Sequence, residues 1–116
     1  MRKRLLIYKM NKHDIILVNF PFSDLSRTKL RPALIITEPK RENIILCQIT
    51  TKKRNIEDFE IKLAKKATKG NIKFDSNIYI DLIFTLHKDL VSRKIGHVEE
   101  DKVKKEIAKK IKNLFD

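Results

Sequence analysis

Residues Asp14 to Thr37 read DIILVNFPFSDLSRTKLRPALIIT, and the parsing of this stretch decides the fold. Ile, Val, Leu and Phe crowd both of its arms, Asp14 to Phe20 and Pro32 to Thr37. Neither arm is long enough for an ordinary helix, so both are expected as β-strands of a hairpin. Pro21 cannot donate to a β-ladder and should end the first strand. Pro32 fixes its own φ and pushes Arg31 into extended geometry where loop meets strand. A guanidinium held there presents five donors in a planar fork suited to a phosphate. Along the first arm Ile15 and Leu17 alternate with Ile16, Val18 and Phe20, so apolar side chains lie on both faces and both faces need cover.

Downstream, Pro39 to Asn43 reads as a turn and Ile44 to Thr51 as a third strand antiparallel to the second. Asp58 to Leu63 alternates as a short strand with Phe59, Ile61 and Leu63 on one face, and Gly70 reads as a turn glycine. Residues Lys52 to Lys73 carry eight basic and three acidic side chains, the most basic part of the folded chain. Ser76 to Thr85 is an apolar strand interrupted by Asp81. A carboxylate in that setting either faces solvent at a groove or has a cationic or donor partner, because burying it unpaired costs several kcal/mol. His87 to Val91 reads as a turn or short helical piece, and Lys94 to Val98 as a last short strand ending near Gly96. From Glu99 to Phe115 the residues Val103, Ile107, Ile111 and Leu114 form one stripe at helical spacing. Acidic residues at the start of this helix and lysines near its end suit its dipole. These elements predict a mainly β (α+β) chain: a small, strongly bent, SH3-like antiparallel β-barrel with helices between and after the strands. The helix Glu100 to Leu114 closes one side.

A chain of 116 residues is one domain by size, placed here at residues 12–116. Residues 1–11, which begin MRKRLLIYKM, form a basic arm outside it, either disordered or an extra translated stretch upstream of Met10. Its apolar run is too short for a signal peptide or a membrane span, so a cytoplasmic protein without membrane contact is expected. The net charge of +12 calls for an acidic partner, and nucleic acid, anionic lipid and acidic protein all qualify. Equally, it fits a lysine-rich solvated surface. One cysteine, Cys47, lies in an apolar run, which excludes disulfide stapling and predicts a buried small hydrophobe in a reducing compartment. His13, His87 and His97 are scattered and lack metal-ligand spacing, so neither metal nor cofactor is expected.

The order DI, LV, FPFSDLS and RPALIIT resembles the opening of the MazF/PemK toxins of type II toxin-antitoxin systems. The resemblance continues through Ile49-Thr50-Thr51, Ser76 to Thr85 and Lys94-Ile95-Gly96-His97-Val98. It implies the same barrel, a homodimer, and a metal-independent, sequence-selective endoribonuclease. Such an enzyme cleaves single-stranded RNA (mRNA) by 2′-hydroxyl attack, leaves a 2′,3′-cyclic phosphate and a 5′-hydroxyl, and inhibits translation. A cognate acidic antitoxin holds it inactive. The family's catalytic arginine and threonine match Arg31 and Thr50, Arg31 to neutralise the phosphorane and Thr50 to donate to a phosphate oxygen. Phe22, Ser23, Lys29, Thr51, Lys53 and Asp81 are the expected RNA contacts, Phe22 as a base-stacking ring. Phe20 is expected in the core and Tyr79 near the site. On the residues alone, Arg31 caps a strand end and Thr50 fills a β position, as Thr commonly does. The loop lacks the glycine and the histidine seen in some relatives, and Tyr79 stands where some carry arginine. A nucleic-acid-binding module without catalysis therefore stays open, as does a topoisomerase-poisoning inhibitor on a related barrel.

Overall fold

The computed structural model describes residues 9–21 and 28–116. Most of the arm, and the loop residues Phe22 and Ser23, lie outside the described residues. Seven strands appear among those described: β1 (Asp14–Pro21), β2 (Thr28–Ile35), β3 (Asn43–Thr50), β4 (Glu60–Leu63), β5 (Thr68–Gly70), β6 (Ser76–His87) and β7 (Val91–Val98). One helix, α1 (Asp101–Leu114), follows them. The strands form a single antiparallel sheet in the order β4-β6-β3-β2-β1-β7-β5. Its two edges, β4 and β5, are joined by Ala64–Ala67 alone. Four residues span at most about 14 Å, so the sheet has to curl until its edges approach, giving a half-barrel.

Burial on both faces of β1 holds as expected. Ile15 points into a core with Leu34, Ile49, Ile78 and Ile80. Ile16 and Val18 point into a second core with Ala33, Ile35, Ile44 and Leu46. The expected stripe of α1 packs on the first core, Val103 and Ile107 buried and Ile111 and Leu114 at its margin. Lys110 pins the helix to the sheet, its Nζ donating to the carbonyls of Glu57 (2.6 Å) and Glu60 (2.9 Å). Cys47 is buried, and burial pushes its thiol up to about 12.

Several element boundaries differ from expectation. β2 begins at Thr28, not Pro32, so Arg31 lies inside the strand opposite Val18 and Pro32 lies opposite Leu17. Proline is tolerated there because the recorded β2–β3 pairing starts only at Ala33, which leaves Pro32 outside that ladder. β4 is shorter than expected, because Glu57–Phe59 is wound into a 3₁₀ turn. Between the described strands there are only single 3₁₀ turns rather than longer helices. β7 runs from Val91 through Gly96, whose missing Cβ lets Gly70 pass close by: a Cβ on Gly96 would lie 2.8 Å from the Lys69 carbonyl oxygen.

At the start of β1, Asp14 is fully buried. One carboxylate oxygen meets His97 Nδ1 at 2.6 Å and Lys94 Nζ at 3.1 Å, and the other accepts the Asn11 N–H at 2.7 Å. This carboxylate ties the turn before β1 to β7. We expect Asp14→Ala to lower stability by about 2–3 kcal/mol, read as a lower urea midpoint at unchanged slope. A midpoint equal to that of the unsubstituted chain would show that the clamp contributes nothing.

Candidate functional site

The second core ends where its strands turn polar. Alternation from Ala33 and Ile35 puts Arg31 and Lys29 on this face of β2, and Arg31 faces buried Val18. On β3 the same alternation runs Ile44, Leu46, Gln48, Thr50, with Gln48 opposite Ala33. Arg31 and Thr50 stand two residues past that last recorded pair, on the same face. The row continues sideways, since Thr50 pairs with Asn77 and Asn77 with Lys62. An arginine, a threonine, an asparagine and an exposed lysine thus form one polar row at the margin of an apolar core. Lys62 was not anticipated; only the register, invisible in the sequence, brings it here.

The turn after β3 is fixed at both ends. Thr50 Oγ1 accepts the Lys52 N–H at 3.2 Å, while the Lys52 carbonyl accepts from the Tyr79 hydroxyl at 2.8 Å and Asn77 Nδ2 at 3.2 Å. A hydroxyl whose oxygen accepts from its own turn directs its proton elsewhere.

Asp81 owes its place to an irregularity between β3 and β6. Cys47 pairs with Ile83 and Gln48 with Tyr79, so Ile80, Asp81 and Leu82 bulge from the ladder. Such bulges re-aim side chains beside functional sites. The partner that the sequence demanded for Asp81 is Arg54, whose terminal nitrogens reach its two oxygens at 2.7 and 3.2 Å. Arg54 Nε and backbone N–H both donate to Glu60, at 3.2 and 2.6 Å, and the guanidinium lies 3.8 Å from the centre of the Tyr79 ring. The hydrogen bond from Arg54 holds the Asp81 carboxyl below its ordinary range. For Glu60, burial works upward, but the N–H donors of Arg54 and Ile56 and the Arg54 side chain outweigh it and the carboxyl titrates low.

The other expected contacts divide. Lys29 and Lys53 are exposed, Lys29 on the Arg31 face and Lys53 in the turn. Thr51 does not join Thr50; it lines a separate cavity of about 160 Å³ with Ile15, Pro32, Ile49, Leu63 and Phe74. Asp81 is committed to Arg54. Tyr79 is buried with Arg54 laid on its ring, so no base can stack on that covered face. Phe20 packs in the second core against Phe84, ring centres 4.7 Å apart. Among the described residues no three His, Cys, Asp or Glu side chains gather as a metal site, and no helix is long and apolar enough to cross a membrane.

The depressed carboxyls carry a pH signature. A carboxylate whose folded value is lowered adds stability above its ordinary value, and that stability is lost as pH falls through the folded one. The loss therefore begins below the ordinary 4.5 of Glu60 and 3.8 of Asp81. Removing the guanidinium in Arg54→Met should flatten this acid dependence. Urea midpoints at pH 7 and pH 3 should differ less for the variant than for the unsubstituted chain; equal differences would contradict the assignment.

Comparison with known proteins bears on the whole chain. No curated protein sequence matches it. Among solved structures, it is similar to the Mycobacterium tuberculosis toxin MazF-mt6 (TM-score 0.70, 24% identity, 89% of this chain and 96% of that one). It is also similar to a MazE-MazF structure from Deinococcus radiodurans (TM-score 0.73, 17% identity, 93% and 96% covered). A third is an endoribonuclease in complex with its cognate antitoxin from a mycobacterial species (TM-score 0.72, 14% identity, 91% and 94% covered). At these identities the structures show a shared fold. The family model of the PemK-like, MazF-like toxins of type II toxin-antitoxin systems matches residues 11–115, and the chain belongs to that family.

Proposed function

We propose that this toxin is a metal-independent, sequence-selective endoribonuclease acting on single-stranded RNA in the cytoplasm. The observation that carries the reading is the alternation that sets Arg31 on β2 and Thr50 on β3 toward one face, each two residues past the recorded Ala33–Gln48 pair at the margin of the second core. In the reaction the substrate's own 2′-oxygen bonds to phosphorus and the bond from phosphorus to the 5′-oxygen breaks. The 2′-hydroxyl proton is withdrawn and a proton is delivered to the departing oxygen, giving a 2′,3′-cyclic phosphate and a 5′-hydroxyl. Negative charge gathers on the phosphoryl oxygens meanwhile, and catalysis consists largely of donors already aimed at that charge. Arg31 supplies a planar fork of N–H donors. Thr50 supplies one O–H, oriented because its oxygen accepts from Lys52. Lys29, Lys53 and Lys62 hold the flanking phosphates, and the net charge of +12 draws the RNA in.

Two relatives were solved with an antitoxin or MazE, which supports an antitoxin partner; in this reading its acidic tail competes with RNA for this face. The toxin acts as a homodimer in this reading. Cleavage of a long RNA by the purified protein with EDTA present tests it. Intact but retarded RNA points instead to a binding module, and neither effect to a protein-directed inhibitor.

Arg31→Ala should reduce the single-turnover rate by about 100-fold to 1,000-fold while changing RNA affinity far less, because only interactions stronger in the transition state accelerate the reaction. Lysine at position 31 should rescue poorly, since it lacks the fork. Lys53→Ala should weaken binding modestly and lower its salt dependence at unchanged saturated rate. Filter binding and quenched-flow cleavage measure both, and a folded Arg31→Ala protein that cleaves normally would exclude Arg31 from the reaction.

A further inference from the structure

We infer that Tyr79, held in place by Arg54, is a positioning residue that fixes the Thr50 hydroxyl as a hydrogen-bond donor. The inference rests on the role given to Thr50 above and names what aims it. Lys52 is gripped twice: its N–H is donated to Thr50 Oγ1 (3.2 Å), and its C=O accepts from the Tyr79 hydroxyl (2.8 Å). With both groups engaged, the backbone of Lys52 has little room to turn, and the N–H that orients Thr50 stays where it is. Asn77 supports the same carbonyl at 3.2 Å, but its bond is the longer one, and the phenol is the stronger anchor because its ring is buried.

Arg54 completes the arrangement from the outside. It lies over the Tyr79 ring at 3.8 Å and is itself fixed by Asp81 and Glu60. Its remaining terminal contact is the Phe59 carbonyl at 3.3 Å. Nε, both terminal nitrogens and the backbone N–H all donate to groups of the fold, so this guanidinium is held in place over the ring. Position along the chain hides the relation: Thr50, Arg54 and Tyr79 meet only through the β3–β6 pairing and the turn between β3 and β4. Base selection or phosphate capture needs none of this, whereas a hydroxyl acting as a single donor needs a fixed direction, because hydrogen bonds weaken steeply away from linearity.

Tyr79→Phe removes the phenol oxygen and keeps the ring that carries Arg54, so folding should be cooperative and RNA affinity should change by less than about twofold. The single-turnover rate should fall by about tenfold, the scale of one hydrogen bond, and the Lys52 amide should exchange with solvent about tenfold faster by the same measure. The decisive comparison is a double-mutant cycle. In a Thr50→Val background, where there is no hydroxyl to aim, Tyr79→Phe should have no further effect on rate. A purely structural Tyr79 would slow both backgrounds equally or lower the melting temperature in proportion, and either result overturns the inference. So does an unchanged Lys52 exchange rate, or faster exchange at undiminished cleavage. If the unsubstituted protein cleaves no RNA, the proposed function fails and the donor role with it. If it cleaves and Tyr79→Phe cleaves equally well, only the inference fails.

Discussion

Two-sided burial of the central strands is the constraint on which this structure depends. β1, β2 and β3 each send alternate side chains into different cores, Ile15, Leu34 and Cys47 to one side and Ile16, Ala33 and Leu46 to the other. Strands buried on both faces have no solvent side on which to spread polar residues, so function has to sit where the apolar alternation stops. On β2 it stops at Arg31, and on β3 it stops at Gln48, with Thr50 next on the same face. The chemistry therefore gathers at the end of a core, on rigid strands whose register is pinned by the packing behind them.

That pattern is why much of the fold was legible in the sequence. Alternation at period two exposed both faces of β1, and spacings of four, four and three marked the helix stripe Val103, Ile107, Ile111, Leu114 before any coordinates. Arg31 and Thr50 were singled out as candidates through the family resemblance rather than through spacing, because a lone arginine and a lone threonine carry no pattern of their own. The boundary of β2 was misread at Pro32. A proline usually signals the end of a ladder, and here it is harmless because the β3 pairing starts one residue later.

What the sequence hid is long-range register. Asp81 announced that it needed a partner, and the basic turn Lys52-Lys53-Arg54 contained it, but no local rule connects residues 27 apart in the chain. Their meeting depends on the bulge that pairs Cys47 with Ile83 and Gln48 with Tyr79. Tyr79 stands where the resemblance places an arginine in some relatives, and Arg54 comes to lie on its ring from the β3–β4 connection. The guanidinium at this corner is thus delivered from another part of the chain, with its donors turned toward carboxylates.

The two edge strands set a limit on how the molecule can be recognised. β4 offers four residues and β5 three, and the turn Lys65–Ala67 between them occupies the gap that a longer ribbon would fill. An incoming peptide that tried to extend the sheet would gain only a few main-chain hydrogen bonds before running out of template, too little for strand addition to carry a stable complex. Short edges also guard a lysine-rich, strand-rich chain against pairing with its own copies into open-ended aggregates. At these two edges recognition is left to faces and grooves, where side chains decide.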